Sequence, residues 1–250
     1  MSFEADKVKS TLRQFVRDWS VLGASEREAC YEPMLVALDS YTEQLLPKII
    51  DRRQIRVLVP GCGLGRLAWE VADRGTILPF TISGYVSQGN ESSYHMIMAS
   101  NLVLNNAICL DQWSIYPFVH SLSNQTCQED LLSEVKFPDR LSSNEFNAED
   151  FGISMGDFTE IFTKPEEKDN WDVILTCFFI DTAKNIVEYL RTIHHLLKPG
   201  GMWVNLGPTL WHYEGSSNPM DTSIELDVNE IKALCQQMGF ELDPNYVRIL

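Results

Sequence analysis

Ile55-Arg56-Val57-Leu58-Val59-Pro60-Gly61-Cys62-Gly63-Leu64-Gly65 decides the fold. A β-branched apolar run stops at a proline and then meets glycines at three alternate positions. Arg66-Leu67-Ala68-Trp69-Glu70-Val71-Ala72 follows with helical character. A strand, a tight glycine turn and a helix N-terminus, in that order, form a cradle for an anionic cofactor. The glycines let the backbone approach a ligand and adopt positive φ.

Strand and helix signals alternate outward from this stretch. Upstream, Val8, Leu12, Phe15, Val16 and Trp19 recur near a 3.6-residue period and predict a helix over 6–20. A second helix is expected from Pro33 to Leu46, ending before Pro47. Downstream, a helix is expected from Leu64 to about Arg74, closed by Gly75, then a strand at Tyr85–Asn90 and a helix at Ser92–Ala107. A short strand ends within Ser154–Phe158. Trp171–Ile180 is nearly all apolar, as in a strand buried on both faces. Thr182–Lys198 carries Ile186, Val187, Leu190, Ile193, Leu196 and Leu197 on one helical face and stops at Pro199-Gly200-Gly201. Met202–Leu206 is the next strand. Asp227 with Glu230 is a capping box for a helix running to Gly239.

This alternation predicts a mostly parallel sheet with helices on both faces. No internal repeat or low-complexity linker divides the 250 residues, so a single domain is expected. Residues 1–50 form its helical N-terminal extension and 51–250 its core, with an irregular insertion at 108–153. The apolar patch Thr76-Ile77-Leu78-Pro79-Phe80-Thr81-Ile82-Ser83 interrupts the passage from the first core helix to the second strand.

The formal net charge of −15 disfavours nucleic acid, because a phosphate backbone repels such a surface. No apolar run approaches the roughly 18 residues of a membrane span. Met1-Ser2-Phe3-Glu4-Ala5-Asp6 lacks the basic flank and apolar stretch of a secretory leader. Cysteines at 30, 62, 109, 127, 177 and 235 form no CxxC pair, and the five histidines form no HExxH. Reduced thiols in an intracellular protein and no structural metal are therefore expected.

Five elements carry candidate chemistry. The glycine pattern is GxGxG, with Arg66 where a dinucleotide fingerprint has its last glycine. The absence of a Lys-Ser/Thr pair argues against a P-loop, and the pattern suits S-adenosylmethionine, which has no phosphate. Gln88-Gly89-Asn90-Glu91 ends the second strand, where an acid can accept both ribose hydroxyls; Glu91 serves equally as a helix N-terminal acid. In Gly156-Asp157-Phe158, Asp157 can accept from an adenine amino group and Phe158 can cover the base, or the tripeptide is an ordinary turn. Thr176-Cys177-Phe178-Phe179-Ile180-Asp181 ends the most buried strand, at the edge where open α/β sheets bind ligands. Asp181 there is either a carboxylate facing the transferred methyl group or a helix cap. Trp211-His212-Tyr213-Glu214 follows the next strand at the same edge, where His212 can bind substrate or serve the structure.

Together these segments resemble the carnosine N-methyltransferase family across most of residues 10–240. The resemblance is strongest in Gln14-Phe15-Val16-Arg17-Asp18-Trp19-Ser20, Val59 to Glu70, Gln88-Gly89-Asn90-Glu91, Cys177-Phe178-Phe179-Ile180-Asp181-Thr182-Ala183 and Leu197-Lys198-Pro199-Gly200-Gly201. It implies an α/β, Rossmann-like class I methyltransferase fold. It also implies transfer of methyl from S-adenosylmethionine to an imidazole nitrogen of a histidine-containing dipeptide, without a metal. Gln14 and Arg17 would reach the cofactor's carboxylate end. Gly61, Gly63, Glu91, Asp157, Phe158 and Cys177 fall on the cofactor side, and Asp181 and His212 on the substrate side. A cytoplasmic location, also nuclear, and a homodimer are among the expectations. Members of the family lack the 76–83 patch and continue past the last helix into paired strands with a substrate-contacting Tyr. Tyr246 has no match to that residue, and the C-terminal strands are expected to be incomplete. Competing readings are a methyltransferase for another small molecule or a peptide histidine, a catalytically dead binding protein and, least favoured, a nicotinamide dehydrogenase.

Overall fold

Val57 and Val59 face one side of β1 and Leu58 the other, and this two-residue period sets the layers of the molecule. A computed structural model describes residues 3–45, 51–74, 84–123, 126–142, 150–216 and 222–244. The chain runs α1 (Phe3–Trp19), α2 (Ala24–Leu45), β1 (Arg56–Pro60), α3 (Arg66–Asp73), β2 (Val86–Glu91), α4 (Tyr94–Asn106), β3 (Trp113–Ile115), β4 (Val135–Phe137), β5 (Phe151–Met155), α5 (Phe158–Phe162), β6 (Trp171–Cys177), α6 (Ile186–Leu196), β7 (Leu197–Leu206) and α7 (Val228–Gln237). Five strands form one sheet in the order β5-β2-β1-β6-β7, with every neighbouring pair parallel. The chain winds outward from β1 through β2 to β5, then returns to the other side of β1 with β6. The topological switch therefore falls between β1 and β6, where open α/β sheets bind ligands.

Val57, Val59, Val173 and Leu175 pack under Tyr31, Met34, Leu35 and Leu38 of α2 and Leu67, Ala68 and Val71 of α3. Leu58 and Ile174 point the opposite way, onto Phe158 and Phe162 of α5 and Ile193 and Leu196 of α6. Helix α1 docks outside this frame. Its Phe15 and Trp19 join Leu64, Trp69, Ala99, Val103 and Phe137 in a separate cluster.

The α/β alternation is as expected, with several boundaries corrected. Helix α2 begins at Ala24, upstream of the expected Pro33, and carries that proline inside. An interior proline costs about 3 kcal/mol. The turns before it are held by Arg27, paired with Asp139, and by Tyr31, bonded to Asp18. Helix α3 starts at Arg66, because Gly65 takes a left-handed φ of 81°. The stretch 108–153 is not wholly irregular: β3 and β4 pair antiparallel within it, and β5 begins at Phe151. Phe158 opens α5 instead of ending a strand.

Strand β6 stops at Cys177, since Phe178 adopts φ 53°. Helix α6 starts only at Ile186, capped by Asn185. Pro199-Gly200-Gly201 forms a bulge inside β7, between Leu197 opposite Trp171 and Met202 opposite Val173. The expected capping box opens α7, where Asp227 accepts from Glu230 N–H and Glu230 from Asp227 N–H, both at 2.9 Å. The 76–83 patch, Gly75, Tyr246 and the last residues lie outside the described residues. No described helix is long and apolar enough to cross a membrane. Among the described residues no group of three His, Cys, Asp or Glu could hold a metal ion.

Candidate active site

The turn after β1 needs its glycines for two separate reasons. Gly61 and Gly63 adopt φ 63° and 57°, which L side chains rarely adopt. The space at each is also filled: a Cβ on Gly61 would lie 2.4 Å from Phe179 Cδ2, and one on Gly63 2.7 Å from Gln14 Nε2. The backbone thus runs in close contact with the end of β6 on one side and with α1 on the other.

Glu91 closes the cradle from β2. Its Oε2 accepts from Gly63 N–H at 3.0 Å and its Oε1 from Ser93 N–H at 2.8 Å. Ser93, not Glu91, caps α4. Glu91 therefore joins the glycine turn to the start of α4, and each of its oxygens keeps a further lone pair for a ligand hydroxyl. Burial pushes its carboxyl above the ordinary carboxylate range, against the pull of the Ser93, Gly63 and Ser92 amides.

Asp157 does act as a cap. Its Oδ1 accepts from Thr159 N–H, Thr159 Oγ1 and Glu160 N–H at 2.8, 2.6 and 3.2 Å. These three bonds fall on one oxygen, so Oδ2 is left for a ligand donor. The Phe158 ring lies in the core, 2% exposed, with its edge toward Phe179 and Tyr189 at 5.4 Å from each. The residue as a whole is buried, and its ring serves the core against α6.

Helix α1 supplies the next wall through a residue given no role in the sequence. Asp18 is fully buried and accepts four bonds: from Gln14 Nε2 and Leu64 N–H on Oδ2, and from Arg17 Nε and Tyr31 Oη on Oδ1, at 2.9–3.2 Å. Gln14 is thereby held over Gly63. Arg17 lies with its guanidinium 5.7 Å from the Phe178 ring centre. Burial lowers its proton affinity, but the Asp18 carboxylate beside it outweighs this and the net shift is upward. Only membership of the string Gln14 to Ser20 marked Asp18 in advance.

Cys177 and Asp181 stand at the carboxyl end of β6. Burial pushes the Cys177 thiol up to about 12, so it stays protonated at neutral pH. Asp181 is 4% exposed, and its Oδ1 has no hydrogen-bond partner. Since Asn185 caps α6, this carboxylate is not spent on capping. Its pKa is raised, first by burial, with the His212 charge and the Leu210 amide pulling the other way. His212, exposed in the loop after β7, donates its backbone N–H to Asp181 O at 3.1 Å. Tyr189 of α6 was also missed. Its ring stacks on Phe179 at 4.8 Å and 17°, and burial raises its hydroxyl, with the charges of Asp157, Tyr213 and Glu91 adding to the shift.

The reversal of winding at β1 and β6, the left-handed glycine turn and the acid ending β2 define a Rossmann-like class I methyltransferase fold. A family model described as carnosine N-methyltransferase matches residues 1–250. The chain belongs to the carnosine N-methyltransferase family. It is 43% identical over 242 residues to a carnosine N-methyltransferase of Rattus norvegicus, covering 97% of this chain and 56% of that protein. It is 41% identical over 245 residues to one of Schizosaccharomyces pombe, covering 94% and 62%. With a carnosine N-methyltransferase of Drosophila melanogaster the identity is 38% over 237 residues, covering 95% and 48%. The chain spans about half the length of these relatives.

Proposed function

We propose that this chain carries the transfer of a methyl group from S-adenosylmethionine to an imidazole nitrogen of carnosine or a related histidine-containing dipeptide, giving a ring-methylated, anserine-type product. The observation that carries this reading is the buried Asp181 carboxylate, whose Oδ1 has no donor at the carboxyl edge beside the glycine cradle. An unsatisfied buried oxygen costs about 1–3 kcal/mol. An incoming imidazole N–H supplies the missing donor.

The residues fit the cofactor. The positive φ of Gly61 and Gly63 shapes a turn that a ligand would meet as main chain, Glu91 has lone pairs for the ribose hydroxyls, and Asp157 Oδ2 is free to accept from an amino group. Gln14 and Arg17 would hold the amino-acid end, with Phe158 and Cys177 buried on the same, cofactor side of the site. When bound, S-adenosylmethionine supplies a methyl group on a sulfonium, a good leaving group for in-line displacement.

The chain's own residues orient the acceptor. An imidazole of ordinary pKa, about 6.5, is mostly neutral at pH 7 and has one nitrogen with a free lone pair. Asp181 accepts the N–H of the other nitrogen, which fixes tautomer and direction and stabilises the imidazolium that forms. His212 holds the dipeptide's carboxylate or amide. Much of the rate comes from alignment of the two reacting centres.

A cytoplasmic location, also nuclear, and a homodimer belong to the same proposal. The family membership and the free cysteines support the intracellular part. The test is mass spectrometry of carnosine incubated with the chain and S-adenosylmethionine. A gain of one methyl group on the imidazole supports the reading. Cofactor binding with unmodified carnosine favours another acceptor, and no cofactor binding overturns the reading.

A further inference from the structure

Helix α1 ends at Trp19, and an α-helix leaves its last four carbonyls without intrahelical partners. Here each finds a different donor. Ser20 Oγ donates to Val16 O at 2.7 Å and Arg27 Nη1 to Arg17 O at 2.6 Å. Arg66 Nη1 donates to Asp18 O at 3.0 Å, and Asp139 N–H to Trp19 O at 2.9 Å. Three of these donors come from elsewhere in the chain: α2, α3 and the segment after β4.

The two arginines also meet on one carboxylate. Asp139 Oδ2 lies 2.5 Å from Arg27 Nη2 and its Oδ1 2.6 Å from Arg66 Nη1; both arginines are buried and the Asp139 side chain is 9% exposed. Glu70 Oε1 takes Arg66 Nε at 2.8 Å. The Arg66 guanidinium lies 4.9 Å from the Trp19 ring centre and 5.3 Å from that of Trp69. Arg66 thus fills the place of the last fingerprint glycine with a side chain that grips α1.

A buried ion pair is weak support for stability, since the cost of desolvating both charges offsets their attraction. Gripping a helix by its terminal carbonyls does something more particular: it sets axial position and rotation. A slip of one residue is about 1.5 Å of rise and about 100° of turn. That slip would carry Gln14 off Gly63 and Arg17 away from Phe178. We propose that Arg27, Asp139 and Arg66 form a clamp that holds α1 in register for the cofactor, with Asp139 as its positioning residue. This rests on the reading of Gln14 and Arg17 as cofactor contacts. A wall ordered in advance lowers the ordering cost of binding, so the clamp acts on cofactor affinity.

The test titrates S-adenosylhomocysteine into the wild-type chain, Asp139→Asn, Asp139→Glu and Glu70→Gln by calorimetry. Cofactor KM, kcat and unliganded melting are measured in parallel. Asp139→Asn keeps the shape and removes the charge. Its Kd rises about tenfold, or about 1.4 kcal/mol, and the KM for S-adenosylmethionine rises in step. Its kcat at saturating cofactor stays within about twofold, a split that a purely structural role would not produce, and Asp139→Glu recovers part of the affinity. Glu70→Gln, at the partly exposed rim, raises Kd about threefold and keeps the test open if Asp139→Asn does not fold. A melting loss with unchanged Kd and KM in Asp139→Asn overturns the clamp alone. So does an unfolded Asp139→Asn beside a Glu70→Gln with wild-type Kd. A wild-type chain that binds no S-adenosylhomocysteine overturns the cofactor reading and the clamp with it.

Discussion

Asp18→Asn tests how α1 is tied to the glycine turn. All four lone-pair sites of the carboxylate are filled, two donors on each oxygen. An amide offers one accepting oxygen, and its NH2 must face two donors whichever way it is turned. With the NH2 toward Arg17 and Tyr31, the Arg17 bond of about 1.5–3 kcal/mol is lost, while the Tyr31 hydroxyl can turn to accept. With it toward Gln14 and Leu64, two bonds strengthened by the carboxylate charge go and Arg17 keeps an uncharged acceptor. Breaking a buried pair by removing one partner's charge costs about 3–5 kcal/mol. Both orientations reach that range because the buried Arg17 loses its counter-charge.

Urea unfolding followed by circular dichroism at neutral pH reads the loss directly. For a domain of this size each kcal/mol moves the melting midpoint by about 2–4 °C, so a fall of roughly 6–20 °C is expected. Tyr31→Phe removes one bond to the carboxylate and costs about 1.5–3 kcal/mol. The double variant falls short of the sum of the two singles, because the two share a partner. A loss below about 1 kcal/mol for Asp18→Asn, or strict additivity with Tyr31→Phe, refutes the four-bond hub.

The pKa of Asp181 is raised in the folded chain, so the native state binds its proton more tightly than the unfolded one. The cost of ionising it grows as pH climbs from the ordinary carboxylate value through the raised one, and is fully present above that. Asp181→Asn should therefore melt no lower than wild type at pH 7.5, and its advantage should shrink toward acid pH while methyl transfer collapses. Melting curves across pH that show a constant or reversed difference refute this. Gly61→Ala and Gly200→Ala share a left-handed φ, which costs a residue with a Cβ about 1–2 kcal/mol. Only Gly61 also faces a ring, with nothing within 4 Å at Gly200, so Gly61→Ala must be the more destabilising by urea unfolding. His212→Ala should raise the KM for carnosine about tenfold or more, the worth of a bond to a charged group, and leave the S-adenosylhomocysteine Kd alone in calorimetry.

Local chemistry was legible in the sequence, and long-range partnership was not. The glycine turn and the capping box of α7 could be read because each depends on neighbours in the chain, whereas the bond from Gly63 N–H to Glu91, 28 residues on, could not. Proline at position 33 misled because its local penalty is outweighed by partners such as Asp139, 112 residues from Arg27. Arg66 was seen only as a missing glycine. Its meaning needed the carbonyl of Asp18 and the carboxylate of Asp139, neither of which any spacing rule connects to it.

The same division separates the two halves of the site. On the proposed reading the cofactor half is tied by many bonds: Asp18 fills all four of its lone-pair sites, and each Glu91 oxygen takes one amide and keeps a lone pair for the ligand. Such a half is rigid before anything binds. The acceptor half keeps one oxygen unsatisfied, on Asp181, beside the left-handed Phe178. On that reading, stability is concentrated on the cofactor side and an unsatisfied polar group is kept on the acceptor side. Substitutions in the first half should lower stability and cofactor affinity together. Substitution of Asp181 should separate the two, removing transfer while stability holds or rises.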